Sequence, residues 1–197
     1  MSELEKQKRN ELYNANYDKN IQSNLYKCKD LCNKYNKIKP SNINKRKNIL
    51  NKIFKEKYNI MDIQPPFYCD FGFNIKLGKN FYANHNFVVL DGAKVIIGDD
   101  VFIGPNCIFT TAGHPIDHKR RNEGLEYAHP ITIGNNVWFG ANVLVMPGIT
   151  IGSNVVIGAG SVVTKNIEDN TVAVGNPCKP IRKITAEDEL NQYKFNK

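Results

Sequence analysis

The chain lacks any apolar run approaching the ~20 residues that a membrane-spanning helix needs, although 41% of its 197 residues are hydrophobic. Its first ten residues, MSELEKQKRN, hold no apolar stretch of the kind a secretory signal requires, so the expected compartment is the cytoplasm. No C-x-x-C pair occurs, and the four histidines form neither H-x-x-x-x-H nor H-E-x-x-H. A zinc centre is therefore not indicated, and no metal is expected. Cys28, Cys32, Cys69, Cys107 and Cys178 are odd in number and scattered, which reads as reduced thiols rather than a disulfide framework.

Basic charge is missing from most of the chain despite a net +8. Residues 1–60 hold 15 Lys/Arg against 6 Asp/Glu, and the remainder 12 against 13. The whole excess is therefore N-terminal. Its lysines are interleaved with asparagine and few aromatics, and no nucleic-acid motif accompanies them, so the expectation is a solvated helical surface and no nucleic-acid partner.

What the chain has is a period of six. Ile133, Phe139, Val145, Ile151, Ile157 and Val163 recur at that interval, and Gly134, Gly140, Gly152 and Gly158 follow four of them. Six fits neither a helix nor a flat strand; it predicts a parallel β-helix in which each unit supplies a short strand and a corner. The apolar residue points inward, and the glycine suits a corner where a side chain or a positive φ is costly. Ile97, Ile103 and Phe109 share the phase, so residues 115–132 read as an excursion loop that preserves register. Leu77, Ala83, Val89 and Val95 form an earlier set, offset by two at Asp91-Gly92-Ala93-Lys94, a turn-like stretch. Three faces of six residues predict 18 per coil.

Residues 1–58 read as helical. Ile21, Leu25, Cys28, Cys32 and Tyr35 mark one helix face. Pro40 and Ser41 mark a stop and an N-cap, and Ile49, Leu50, Ile53 and Phe54 a second stripe. Residues 59–180 form the β-helix, entered through Pro65-Pro66 and stopped by Pro177 and Pro180. Residues 181–197 form a tail in which Thr185 and Asp188 resemble a capping box for a short helix.

Chemistry is expected where the repeat is interrupted. His114 precedes the excursion loop, and two roles are open to it: general base, or a hydrogen bond that holds the loop. Lys119, Arg120 and Arg121 either steer anions or face water, and water is favoured.

The segments Asn80-Phe81-Tyr82-Ala83-Asn84, Gly113-His114-Pro115-Ile116-Asp117, Pro130 to Gly140 and Gly175-Asn176-Pro177-Cys178-Lys179-Pro180-Ile181-Arg182 resemble the maltose and galactoside O-acetyltransferases of the hexapeptide-repeat superfamily. Leu12-Tyr13 and Lys34-Tyr35-Asn36 resemble that family's helical N-terminus. The resemblance implies a left-handed parallel β-helix that forms a homotrimer, with sites between subunits and acetyl passing from acetyl-CoA to a sugar hydroxyl. It implies His114 as general base, Asn84 as the second polar catalytic residue and the Ala141 N–H as oxyanion donor. It places Asp70, Asp91 and Glu126 at the acceptor sugar, Asp70 and Glu126 being closer to the maltose type. Asn14, Asn16 and Asp18 all lie near a further polar acceptor contact. It places Trp138, Ala141, Ala159, Thr164 and Lys165 along CoA, with Lys179 and Arg182 at its phosphates, the family often having arginine where Lys179 stands. Each acidic residue has an alternative as a solvated carboxylate, Trp138 as a packing aromatic and Lys165 as a surface lysine. The other readings are an acetyltransferase for an antibiotic, serine or amino sugar, against which the helical segment argues, and a carbonic anhydrase-like zinc enzyme or silent assembly subunit.

Overall fold

Apolar side chains six residues apart share one interior only if the chain turns after every short strand. The computed structural model has that form and describes residues 1–58 and 62–191. The last residues of the expected tail, and the three just after the expected boundary at 58, lie outside them. Three sheets form the sides of a parallel β-solenoid. The first runs from Asp62–Ile63 through Tyr82–Ala83, Phe102–Ile103, Val137–Phe139, Val155–Ile157 and Thr171–Val174, and ends with antiparallel Lys179–Lys183. The second holds Phe67–Cys69, Phe87–Leu90, Ile108–Thr110, Leu144–Val145 and Val162–Val163. The third holds Ile75–Leu77, Val95–Ile97, Ile131–Ile133 and Thr150–Ile151.

Every inward residue of the six-residue set is buried, from Leu77 to Val163. Each three-residue strand except Ile108–Thr110 buries its first and third residues, as in Ile131 with Ile133 and Val137 with Phe139. Full burial of such a side chain contributes about 1.5–3 kcal/mol. Phe67, Phe87, Phe109 and Phe139 stack along the axis with centroids 5.9, 5.2 and 5.0 Å apart.

The expected 18 residues per coil holds in only one stretch. Ile63, Ala83 and Ile103 pair at intervals of twenty, Ile103 with Phe139 across thirty-six, Phe139 with Ile157 across eighteen, and Ile157 with Ala173 across sixteen. All the variation falls at one edge, between the second sheet and the third. The excursion leaves there earlier than residue 115 and rejoins at Ile131. Ala112–Gly113 pairs with Tyr127–Ala128 at its base, and a short helix, His118–Asn122, lies beyond.

The corner glycines serve close approach rather than positive φ. A Cβ on Gly140 would sit 2.6 Å from the Ala159 nitrogen, and one on Gly134 2.6 Å from the Gly152 carbonyl carbon. The left-handed position lies two residues later and is taken by asparagine, as at Asn136, Asn142 and Asn154, whose short polar side chain tolerates that region.

The N-terminal helices are α1 (Glu3–Lys8), α2 (Lys19–Asn36) and α3 (Ile43–Phe54). α2 buries Ile21, Cys28, Cys32 and Tyr35, as its stripe predicts. α3 is capped by Asn42, whose side chain accepts from the Lys45 N–H at 3.2 Å; Ser41, the expected cap, lies one residue too early. Arg46 is buried and donates to Asp62 Oδ1 and the Ile63 carbonyl, each at 2.7 Å. That bond set fastens α3 to the first strand. In the tail, Asp188 accepts from the Thr185 N–H at 2.9 Å beside a helix at Glu187–Asn191. No helix among the described residues is long and apolar enough to cross a membrane.

Candidate active site

Before the excursion, the variable edge is built from polar groups that hold a looped chain. Asp91 Oδ1 accepts from the Asp70 and Phe71 N–H groups at 3.0 and 2.8 Å. Thr111 donates to the Leu90 carbonyl at 2.7 Å and accepts from the Ala93 N–H at 2.9 Å. Asp91 is fully buried, and its Oδ2 has no hydrogen-bond partner among the described residues. Burial pushes its carboxyl up to about 8. The expected contact between Asp91 and an acceptor sugar is therefore corrected: the residue lies beneath the surface and shapes the turn.

His114 stands exposed on this edge. Its Nδ1 lies 2.9 Å from the Leu125 carbonyl. A carbonyl only accepts, so the neutral ring carries its proton on Nδ1 and keeps the Nε2 lone pair free. Glu126 follows Leu125 and is backed by the N-terminal segment: Tyr13 and Glu126 exchange backbone bonds of 3.0 and 2.9 Å. Tyr13 is buried, and its hydroxyl accepts from Gln7 Nε2 at 3.1 Å. Gly92 leaves room for that ring, since a Cβ there would lie 3.1 Å from the hydroxyl.

A cleft of about 310 Å3 opens beside them, lined by Tyr13, Asn16, Gln22, Lys29, Asp70 and Glu126 among others. Burial raises Asp70 to about 6 against the pull of Lys29, and burial also raises Glu126. Of the three residues left open near this place, Asn14 bonds the Glu123 carbonyl at 2.6 Å and the Asn16 N–H at 3.0 Å. Asp18 caps α2 through the Asn20 and Ile21 N–H groups. Asn16 alone of the three lines the cleft. Tyr13 and Lys29 are cleft residues that sequence reasoning missed: Tyr13 was read only as part of the helical N-terminus, and Lys29 carries no local motif.

A second group gathers on a different edge, between the first sheet and the second. Asn84 is in register with Gly104, Gly140 and Gly158 of the following coils, so its side chain heads a column that has none. Its Oδ1 accepts from the His85 N–H at 2.7 Å. The Ala141 N–H has no partner among the described residues, and exposed Ala159 lies one coil beyond. Trp138 projects outward at 56% exposure. No hydrogen bond joins Asn84 to His114 among the described residues, and the two occupy different edges.

Thr164 and Lys165 are exposed on the His114 edge two coils further on. Lys179 and Arg182 lie exposed on the final strand. Arg182 is already engaged: its guanidinium grips Asp188 through bonds of 2.8 and 2.7 Å. The five cysteines are not all scattered. Cys28, Cys32 and Cys69 converge within 4.8 Å of one another, an arrangement invisible to C-x-x-C spacing because Cys69 arrives from the solenoid.

Residues 8–57 match the model of the maltose acetyltransferase hexapeptide capping motif, and residues 130–165 that of the bacterial transferase hexapeptide. The chain is 45% identical to the galactoside O-acetyltransferase of Escherichia coli over 84% of its own length and 82% of that protein. It is similar to the solved maltose O-acetyltransferase of Clostridium difficile, with 46% identity, a TM-score of 0.89 and coverage of 94% and 98% of the two chains. It is also similar to a galactoside acetyltransferase solved in complex with coenzyme A, with 39% identity, a TM-score of 0.91 and coverage of 99% and 97%. With this solenoid, cap and edge geometry, the chain belongs to the maltose and galactoside O-acetyltransferase family of hexapeptide-repeat acetyltransferases.

Proposed function

We propose that the protein transfers acetyl from acetyl-CoA to a hydroxyl of a sugar of the maltose, glucose or galactoside kind. The observation that carries this is the free Nε2 of His114, oriented by the Leu125 carbonyl, beside a cleft walled by two carboxylates. Asp70, Glu126 and Asn16 suit the binding of several hydroxyls at once. Nε2 removes the proton of the attacking hydroxyl, and the new C–O bond forms at the thioester carbonyl. The oxyanion accepts from the Ala141 N–H. Collapse breaks the C–S bond, and the imidazolium returns its proton to the departing CoA thiolate. Trp138, Ala159, Thr164 and Lys165 flank the CoA path, and Lys179 meets its phosphates as a point charge. Arg182 reaches a phosphate only by giving up Asp188.

The reading also takes the enzyme as a homotrimer. Tyr82, Phe102, Trp138, Val156 and Val172 form an outward column on the first sheet. Tyr68, Val88, Ile108, Leu144 and Val162 form one on the second. The third sheet presents Lys76, Ile96, Thr132 and Thr150, three of the four polar. Packing the apolar sides of neighbouring chains removes them from water, and a site shared between chains takes the His114 edge from one and the Asn84 edge from another.

Thiol release from acetyl-CoA with a panel of sugars tests the activity. His114→Ala is expected to slow it at least ~100-fold with the melting temperature unchanged. Near-normal turnover in that variant overturns the assignment.

A further inference from the structure

Three thiols meet beneath the cap, outside any residue the acetyl transfer uses. Cys28 and Cys32 lie one turn apart on α2 and face Cys69, the last residue of its strand. Cys69 Sγ stands 3.5 Å from Cys28 Sγ and 3.9 Å from Cys32 Sγ. All three residues are at most 5% exposed. A zinc–thiolate bond of about 2.3 Å implies a sulfur–sulfur edge of about 3.8 Å in a tetrahedral site. Two edges of the sulfur triangle therefore already stand at ligand spacing, and the third is within 4.8 Å.

We propose that Cys28, Cys32 and Cys69 form a seat for a thiophilic d10 cation, Zn2+ or Cu+. Among the described residues the one carbonyl bonded to the set is that of Cys69, 3.6 Å from Cys28 Sγ, so the thiols bond chiefly to each other. Binding a divalent ion forms three metal–sulfur bonds and sends the thiol protons to solvent. Cys32 and Cys69 line a cleft of about 530 Å3 with Asn36, Tyr68 and Leu90, which gives an ion its way in and a water room as fourth ligand. A disulfide between two of these sulfurs gives no reason for the third to converge. The ion clamps α2 to the first coil, and the residues next to two of its ligands, Lys29 and Asp70, both line the site cleft. The seat stands whether or not sugars are the substrate.

The test uses the full chain, purified under reductant, loaded anaerobically with zinc or cuprous ion and desalted. About one ion per chain is expected by mass spectrometry of the metal. Co2+ is expected to give a sulfur-to-cobalt charge-transfer band in the near ultraviolet, lost in Cys32→Ser and kept in Cys178→Ser. Should Cys32→Ser not fold, zinc protection of Cys32 against alkylation in the unaltered chain gives the same reading. Less than about a tenth of an ion per chain in every arm, or a Cys28–Cys69 disulfide in the reduced, purified protein, overturns the proposal.

Discussion

A backbone carbonyl has no proton to give, so the bond from His114 to Leu125 fixes the neutral ring by chemistry rather than by packing. Burial acts as directly on Asp91. Its carboxyl is held up to about 8 against an ordinary 3.8. Between those values the folded chain keeps a proton that the unfolded chain has lost, so this residue's contribution to stability falls as pH rises through the window and is level above it. Asp91→Asn keeps one oxygen for the Asp70 and Phe71 N–H groups and cannot ionise. Thermal melts across that window are expected to decline less steeply for the variant than for the unaltered chain, and parallel curves refute the account. That His114 stands on the edge where the coils change length was legible in sequence, because the repeat stops beside it. Asn16 was not separable from Asn14 and Asp18, since only folding reveals that a capping bond and a loop carbonyl consume the other two. Asp91 misled because a buried and an exposed carboxylate have the same letter.

At the scale of single strands and corners, the period of six was enough to name the inward residues, because a hydrophobic stack must repeat wherever a coil does. It did not distinguish the two jobs at each corner. Gly140 leaves space for Ala159, whereas Gly160 sits at a positive φ of 73° with nothing within 4 Å of an added Cβ. Gly140→Ala is therefore expected to cost about 1–3 kcal/mol in denaturant melts. Gly160→Asn puts the residue found at Asn106 and Asn142 into the same column and is expected to stay within about 0.5 kcal/mol of the unaltered chain. Equal effects from the two would refute the division of labour. Arg46, a long charged residue in a helix stripe, gave no signal of its own. Its partners, Asp62 and the Ile63 carbonyl, belong to a strand that sequence spacing does not connect to α3. Arg46→Ala removes the charged donor from both, leaving the Tyr35 hydroxyl on the Ile63 carbonyl and the Ile63 N–H on Asp62, and is expected to cost about 2–4 kcal/mol in the same melts.

Across the whole molecule, His114 and Asn84 stand on separate edges of one prism, so in the proposed trimer a single chain holds half of each proposed site. Two inactive proteins, His114→Ala and Asn84→Ala, are then expected to rescue one another when co-expressed. Random pairing restores about a quarter of the sites, each with histidine from one chain and asparagine from its neighbour. No rescue, with mixed assemblies demonstrated, confines the chemistry to one chain. The edge that carries His114 is also where every coil that departs from eighteen residues does so. Twenty, thirty-six and sixteen residues are all absorbed there while the strands on either side stay in step. Segments of other lengths, spliced between Thr110 and Ile131, would change what the enzyme selects without disturbing the column opposite, so new specificities can be grafted onto an unaltered rod.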